Sequence, residues 1–204
     1  MTQVLPAAPA PAVAPAPTLA ARIADPGPLG LAAFALTTFM LSSFNAGLLP
    51  KSAEVAILGV ALFYGGLAQL FAGLWEFAKG NTFGAVAFTS YGAFWMSFWY
   101  LVAHSGLTKE DAAQGVGIYL LAWTIFTLFM TVVTRRISGL LFGLFSILSV
   151  TFVFLTVGAF ASAPLFTQVG GYLGLVTAFT AWYAFFAGVM NTTGKGAVLP
   201  TWPR

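Results

Sequence analysis

Residues 25–49 read DPGPLGLAAFALTTFMLSSFNAGLL, and no side chain from Leu29 to Leu49 carries a charge. A helix of about 20 residues crosses the hydrocarbon core of a bilayer. The stretch is therefore long enough to span once before Pro50 and Lys51 end it. Its opening is rich in residues that usually interrupt helices. Pro28 is harmless in a first turn, where its missing N–H would have had no partner within the helix, and Pro26 ends the chain's approach. Gly27 and Gly30 keep the backbone slim where neighbouring helices or a solute pass, and Asp25 stands where a carboxylate caps the first turn.

The same pattern recurs five times, at about 55–75, 83–103, 112–134, 137–161 and 169–190, with short loops that make adjacent helices antiparallel neighbours. Of the 204 residues 59% are hydrophobic and 6% charged, against about 25% charged in a soluble domain, and the mean hydropathy is +0.91. These figures predict an all-α membrane protein with six transmembrane helices in residues 25–191. Residues 1–24, rich in Pro and Ala, read as a disordered cytoplasmic tail, with no basic leader before a compact apolar run. Residues 192–204 read as a second short tail. Counting Lys and Arg at the span ends puts Arg22, Lys79, Arg135, Arg136, Lys195 and Arg204 on one side and Lys51 and Lys109 on the other. The positive-inside bias then places both termini in the cytoplasm, in the bacterial inner membrane or another plasma membrane.

Two short echoes suggest an internal repeat. AFTSYGAF at 87–94 matches AFTAWYAF at 178–185, and LTTFM at 36–40 matches FTLFM at 126–130, with offsets of 91 and 90 residues. The pairs couple helix three to helix six and helix one to helix four. Three spans per half invert the second half relative to the first, giving a 3+3 repeat.

The chain has no cysteine, one histidine and five acids. Disulfides and thiol chemistry are excluded, and a metal or other cofactor site and a nucleophile–base pair for an enzyme are not expected. The net charge of +3 is scattered over helix ends, which does not suit nucleic acid. No Asp, Glu, Lys or Arg lies in the middle of a predicted span, and no lysine is placed for a Schiff base. Glu54 and Glu76 border helix two, where solvent exposure or an interfacial ion pair is expected rather than proton transfer. His104, at a helix end, is the side chain whose ordinary titration range is nearest neutrality.

The helices instead carry hydroxyls and amides that can replace part of a small solute's hydration shell: Thr38, Asn45, Gln69, Thr89, Ser90 and Thr180 stand out. A Thr or Ser in a membrane helix also bonds to its own backbone or to the next helix. The amides of Asn45 and Gln69 are costly to leave unpaired in hydrocarbon, so they must face protein or water. Gly65 and Gly73 flank Gln69 at a spacing of four and make a thin face for close helix approach. With 21 Phe, 6 Tyr and 6 Trp, rings are available to close such a route as an apolar constriction.

DPGPLGL followed by AAFALTTFMLSSFNAG resembles the NPAPLGL signature and first helix of the acetate uptake transporter family, the GPR1/FUN34/YaaH family. The likeness continues through FYGGLAQLFAGLWEFAKGNTFGAVAFTSYGAFW at 63–95 and AFTAWYAFFAGVMN at 178–191. The resemblance implies a six-helix protomer in a homo-hexamer embedded in membrane lipid, each subunit with its own conduit for acetate, succinate or other short carboxylates, working as a channel or by proton symport. It also implies a constriction of Phe34, Tyr91 and a helix-five leucine, for which Leu155 is the choice, with Leu29 lining the approach and Asn45 on the family asparagine. Asp25 departs from the signature asparagine. Two readings compete with carboxylate transport: a channel for a neutral solute such as urea, and a membrane sensor or structural protein that does not transport.

Overall fold

The structure, a computed structural model, describes residues 18–194, 196 and 198–204. The expected tail at 1–24 falls mostly outside these residues, as does Lys195; within it, Leu19–Arg22 form a single helical turn. Six long helices follow in chain order: α1 Gly27–Asn45, α2 Lys51–Lys79, α3 Thr82–His104, α4 Lys109–Thr134, α5 Gly139–Phe160 and α6 Pro164–Thr193. Five of them are long and apolar enough to cross a membrane; α3, with 23 residues, is not among the five. The fold is all-α and multi-span, and large side chains such as Phe63, Phe71, Phe129 and Phe179 point outward and stay exposed.

Local chemistry sets the helix ends. Pro28 sits in the first turn of α1, and the Asp25 carboxylate accepts the Gly27 N–H at 3.1 Å. Asn81, Thr108 and Ser138 cap α3, α4 and α5 by accepting the N–H groups of Gly84, Asp111 and Leu141. Gly80 ends α2 at φ +81, a left-handed turn that costs glycine little. α2 is not a uniform helix: Lys51–Ala56 winds as a 3₁₀ turn and Ala61–Ala68 as a π-helix before the α-helical geometry resumes at Gln69. α6 begins at Pro164, ahead of the expected 169, because Pro can start a helix and its preceding residue, Ala163, is extended.

α1 packs chiefly along α6, α4 along α5, α5 along α6, and α2 along α3. Small residues make the first of these contacts possible. A Cβ on Gly171 would strike the backbone N of Ala46, one on Gly174 the hydroxyl of Ser42, and one on Gly188 the ring of Pro28. The thin face of α2 packs within the chain in the same way, Gly65 against Thr37 of α1 and Gly73 against Thr89 of α3. After α6 the chain folds back: the Asn191 side chain accepts the N–H groups of Val198 and Leu199 at 2.7 and 2.9 Å, and the N–H of Gly139 donates to the carbonyl of Trp202.

Gly171→Ala is expected to destabilise the protein by about 1–3 kcal/mol, since the methyl meets backbone that cannot rotate away. Gly143→Ala, with open space around its Cβ, should leave the thermal stability in detergent unchanged or slightly raised. Equal melting of the two variants would contradict the close α1–α6 approach.

Candidate functional site

Two cavities penetrate the helix bundle. The larger, about 550 Å³, is bordered by α1, α3, α4 and α5 and opens beside Lys51, Glu54 and the Ser105–Leu107 turn. The smaller, about 180 Å³, is bordered by the start of α1, by α2, α3 and α5, and opens beside Asp25 and Asn81. Their walls share Phe34 and Leu148. Tyr91 closes the smaller cavity at the same level, its ring centroid 5.6 Å from that of Phe34 and 6.1 Å from that of Phe145. Phe34, Tyr91 and Leu148 are 6%, 2% and 4% exposed, so an apolar plug separates the two spaces.

The plug is held from behind. Tyr91 packs against Trp123 and Phe126 of α4, and its hydroxyl lies 2.9 Å from that of Thr127. The Thr127 hydroxyl also donates to the carbonyl of Trp123 at 2.7 Å. The phenol is therefore oriented by a hydroxyl that has a backbone partner of its own.

Phe34 lines both cavities, and the other predicted site residues divide into three groups. Thr38, Asn45 and Leu155 line the larger cavity, with Lys51 donating to Asn45 Oδ1 at 3.4 Å and to Glu54 at 3.2 Å. Asp25, Gln69 and Tyr91 line the smaller one. The remaining five lie off both walls. Thr89 donates to the carbonyl of Ala85 and Thr180 to that of Val176; Gly30 gives way to the Phe88 ring; Ser90 is half-buried; and Leu29 is 44% exposed on the outside. Leu155 is not brought to Phe34 and Tyr91. Leu148, two turns earlier on α5, occupies that level, and Leu155 packs instead against Gly170 in the larger cavity.

Three residues enter that the sequence reading did not assign to the site. Trp95, 2% exposed, lines the larger cavity with an indole N–H that has no partner among the described residues, and Thr38 Oγ1 on the wall of the same cavity has none either. Trp95 lies four residues after Tyr91, hence on the same face of α3, which is the signal that could have found it. Leu148 is the second. Glu76 is the third, and it corrects the expectation of an exposed border residue: it is 1% exposed, lines the smaller cavity, and accepts a hydrogen bond from Asn81 Nδ2 at 2.9 Å. Among the described residues no cation pairs with it, and no group of three potential metal ligands occurs.

Residues 8–203 match the model of the GPR1/FUN34/yaaH family. The chain belongs to that family. It is 47% identical over 186 residues to the "Accumulation of dyads protein 2" of Saccharomyces cerevisiae, covering 88% of this chain and 65% of the yeast protein. It thus spans about two thirds of that relative's length. It is 40% identical to the Escherichia coli "Succinate-acetate/proton symporter SatP", covering 88% of this chain and 95% of that one. The solved structure of "the bacterial acetate channel SatP" superposes with a TM-score of 0.81 at 40% identity, over 88% of this chain and 99% of that chain. The likeness to that solved chain agrees with the all-α, multi-span membrane fold described above.

The hydrogen-bond geometry behind Tyr91 predicts an asymmetry between two variants. Thr127→Val strands a buried phenol O–H and should cost about 1–3 kcal/mol. Tyr91→Phe leaves the Thr127 hydroxyl on its carbonyl and should cost distinctly less. Melting temperatures of the two variants check the ordering.

Proposed function

We propose that each protomer conducts acetate, and with it succinate and other short carboxylates, through the two cavities and across the ring of Phe34, Tyr91 and Leu148, with a proton accompanying each carboxylate that crosses. The observation that carries the reading is the apolar ring between two cavities, in a chain 40% identical to a protein named as a succinate-acetate/proton symporter. A bare carboxylate entering such a ring bears a desolvation cost that binding elsewhere cannot offset, whereas the neutral acid loses far less. In the larger cavity the unpartnered Trp95 N–H and the Thr38 hydroxyl supply donors to a carboxylate, and Lys51 supplies positive charge at the mouth.

In the same reading all six long helices cross the bilayer, residues 25–191 form the transport unit, and the two halves are inverted copies. Both termini are cytoplasmic, so the smaller cavity faces the cytoplasm and the larger one the outside. The exposed aromatic faces of α2, α4 and α6 meet lipid or neighbouring copies in a hexamer. The fit to the solved SatP chain supports this arrangement.

Purified protein in vesicles should exchange labelled acetate for acetate, with succinate competing and urea not competing. Urea flux without acetate counterflow would favour the neutral-solute channel, and no flux of either would favour a sensor. Phe34→Ala should relax size selection, so that longer monocarboxylates exchange at rates approaching that of acetate. Unaltered selection would remove Phe34 from the filter.

A further inference from the structure

Among the described side chains Glu76 is the one carboxylate buried in the protein. A carboxylate in that position is costly unless it is paired, hydrogen-bonded throughout, or used. Among the described residues Glu76 has one side-chain partner, Asn81, and no cation within ion-pair distance. Its space is built for it. A Cβ on Gly84 of α3 would lie 2.7 Å from the Glu76 carboxyl carbon, and one on Gly27 of α1 would lie 3.4 Å from Oε1. The carboxyl therefore occupies room left by two glycines and faces the smaller cavity.

A second polar group points to what arrives there. Gln69 lies seven residues earlier on α2, on the same stripe and about 10 Å nearer the ring by helical rise. It is 1% exposed, lines the same cavity, and its Oε1 accepts no hydrogen bond. A carbonyl acceptor is satisfied by an O–H, which a protonated carboxylic acid has and its anion lacks. The remaining titratable groups on this wall are Asp25, held by the Gly27 amide, and the Tyr91 phenol from α3; Lys79, three residues beyond Glu76 on α2, lies off the wall and its Nζ donates to the carbonyl of Ile23. The part of α5 that lines it, Leu141, Leu144, Phe145 and Leu148, is apolar.

We infer that Glu76 is the proton acceptor for acid emerging from the ring, with Gln69 orienting the acid's O–H on the way. This rests on the transport reading above. The step is a plain proton transfer: the acid's O–H bond breaks, an O–H bond forms on a Glu76 carboxylate oxygen, and acetate leaves as the anion. The protonated Glu76 then returns its proton to water at the cavity mouth, and the direction reverses for efflux.

The test uses the full chain in vesicles, with protein-free vesicles subtracted, and compares labelled-acetate counterflow at symmetric pH with uptake driven by an inside-alkaline gradient. Glu76→Gln keeps an acceptor for Asn81 but cannot take a proton. Its gradient-driven uptake should fall by about tenfold or more relative to its counterflow. Glu76→Asp restores a titratable group and should recover driven uptake, with the dependence on internal pH displaced. A Glu76→Gln ratio equal to that of the unaltered protein overturns the inference, and so does equal loss of both fluxes in the Gln and Asp variants, which marks a structural residue. Absence of counterflow in the unaltered protein overturns the transport reading itself, and this inference with it.

Discussion

The close approach of other helices to α1 is the constraint on which the architecture depends. α1 is flanked by α6 through Gly171, Gly174 and Gly188 and by α2 through Gly65. A side chain larger than hydrogen at these places would clash with the neighbouring helix and force it outward. A second face of α1 carries Phe34, Thr38 and Asn45, with Ser42 at its border with α6, all on cavity walls. One helix therefore serves as packing core on one side and as a cavity wall on the other. In hydrocarbon, where apolar side chains gain nothing by leaving lipid for one another, fit of this kind is what holds helices together.

The polar groups follow the same economy of partners. Most hydroxyls in the spans, Thr37, Thr89, Thr177 and Thr180 among them, bond to the carbonyl one turn back on their own helix. Others link helices, as between Thr124 and Thr156 or Thr131 and Ser149. Among the described residues the buried side-chain atoms left without a partner are on Thr38, Gln69 and Trp95, and each of the three lines a cavity. Unpaired buried groups are rare because each is expensive. Their concentration along one path separates the route from the scaffold more sharply than polarity alone.

This is also why the fold was legible in the sequence and the site only in part. Uncharged runs of bilayer length and positive charge at their ends locate helices whatever their neighbours are, so all six long helices were placed to within a few residues. Helix periodicity also gives the face a residue belongs to, but not its depth. Leu144, Leu148 and Leu155 share a face of α5, and only the packing of α1 and α3 around them selects Leu148 as the level of the ring. Thr89 and Thr180 look like Thr38 in sequence; which hydroxyl is left unpaired depends on what the backbone one turn back and the adjoining helix offer. Glu76 looked like a boundary charge because it stands three residues before Lys79. The turn through Gly80 and Asn81 folds back over it and converts the helix end into a buried wall.

The two cavities differ in the kind of polar group they present, and the difference has a direction. On the larger side the unsatisfied groups include donors, the Trp95 N–H and the Thr38 O–H, which stabilise an anion. On the smaller side the groups without a full set of partners include acceptors, Gln69 Oε1 and the Glu76 carboxyl, which stabilise an O–H. Between them the ring presents neither. In the transport reading proposed above, a carboxylate held by donors gains a proton to pass the ring, and the acid that emerges meets groups suited to keep that proton while the anion departs. In that reading neither cavity alone would produce coupling; it would arise from the difference in hydrogen-bonding character on the two sides of a barrier that excludes charge.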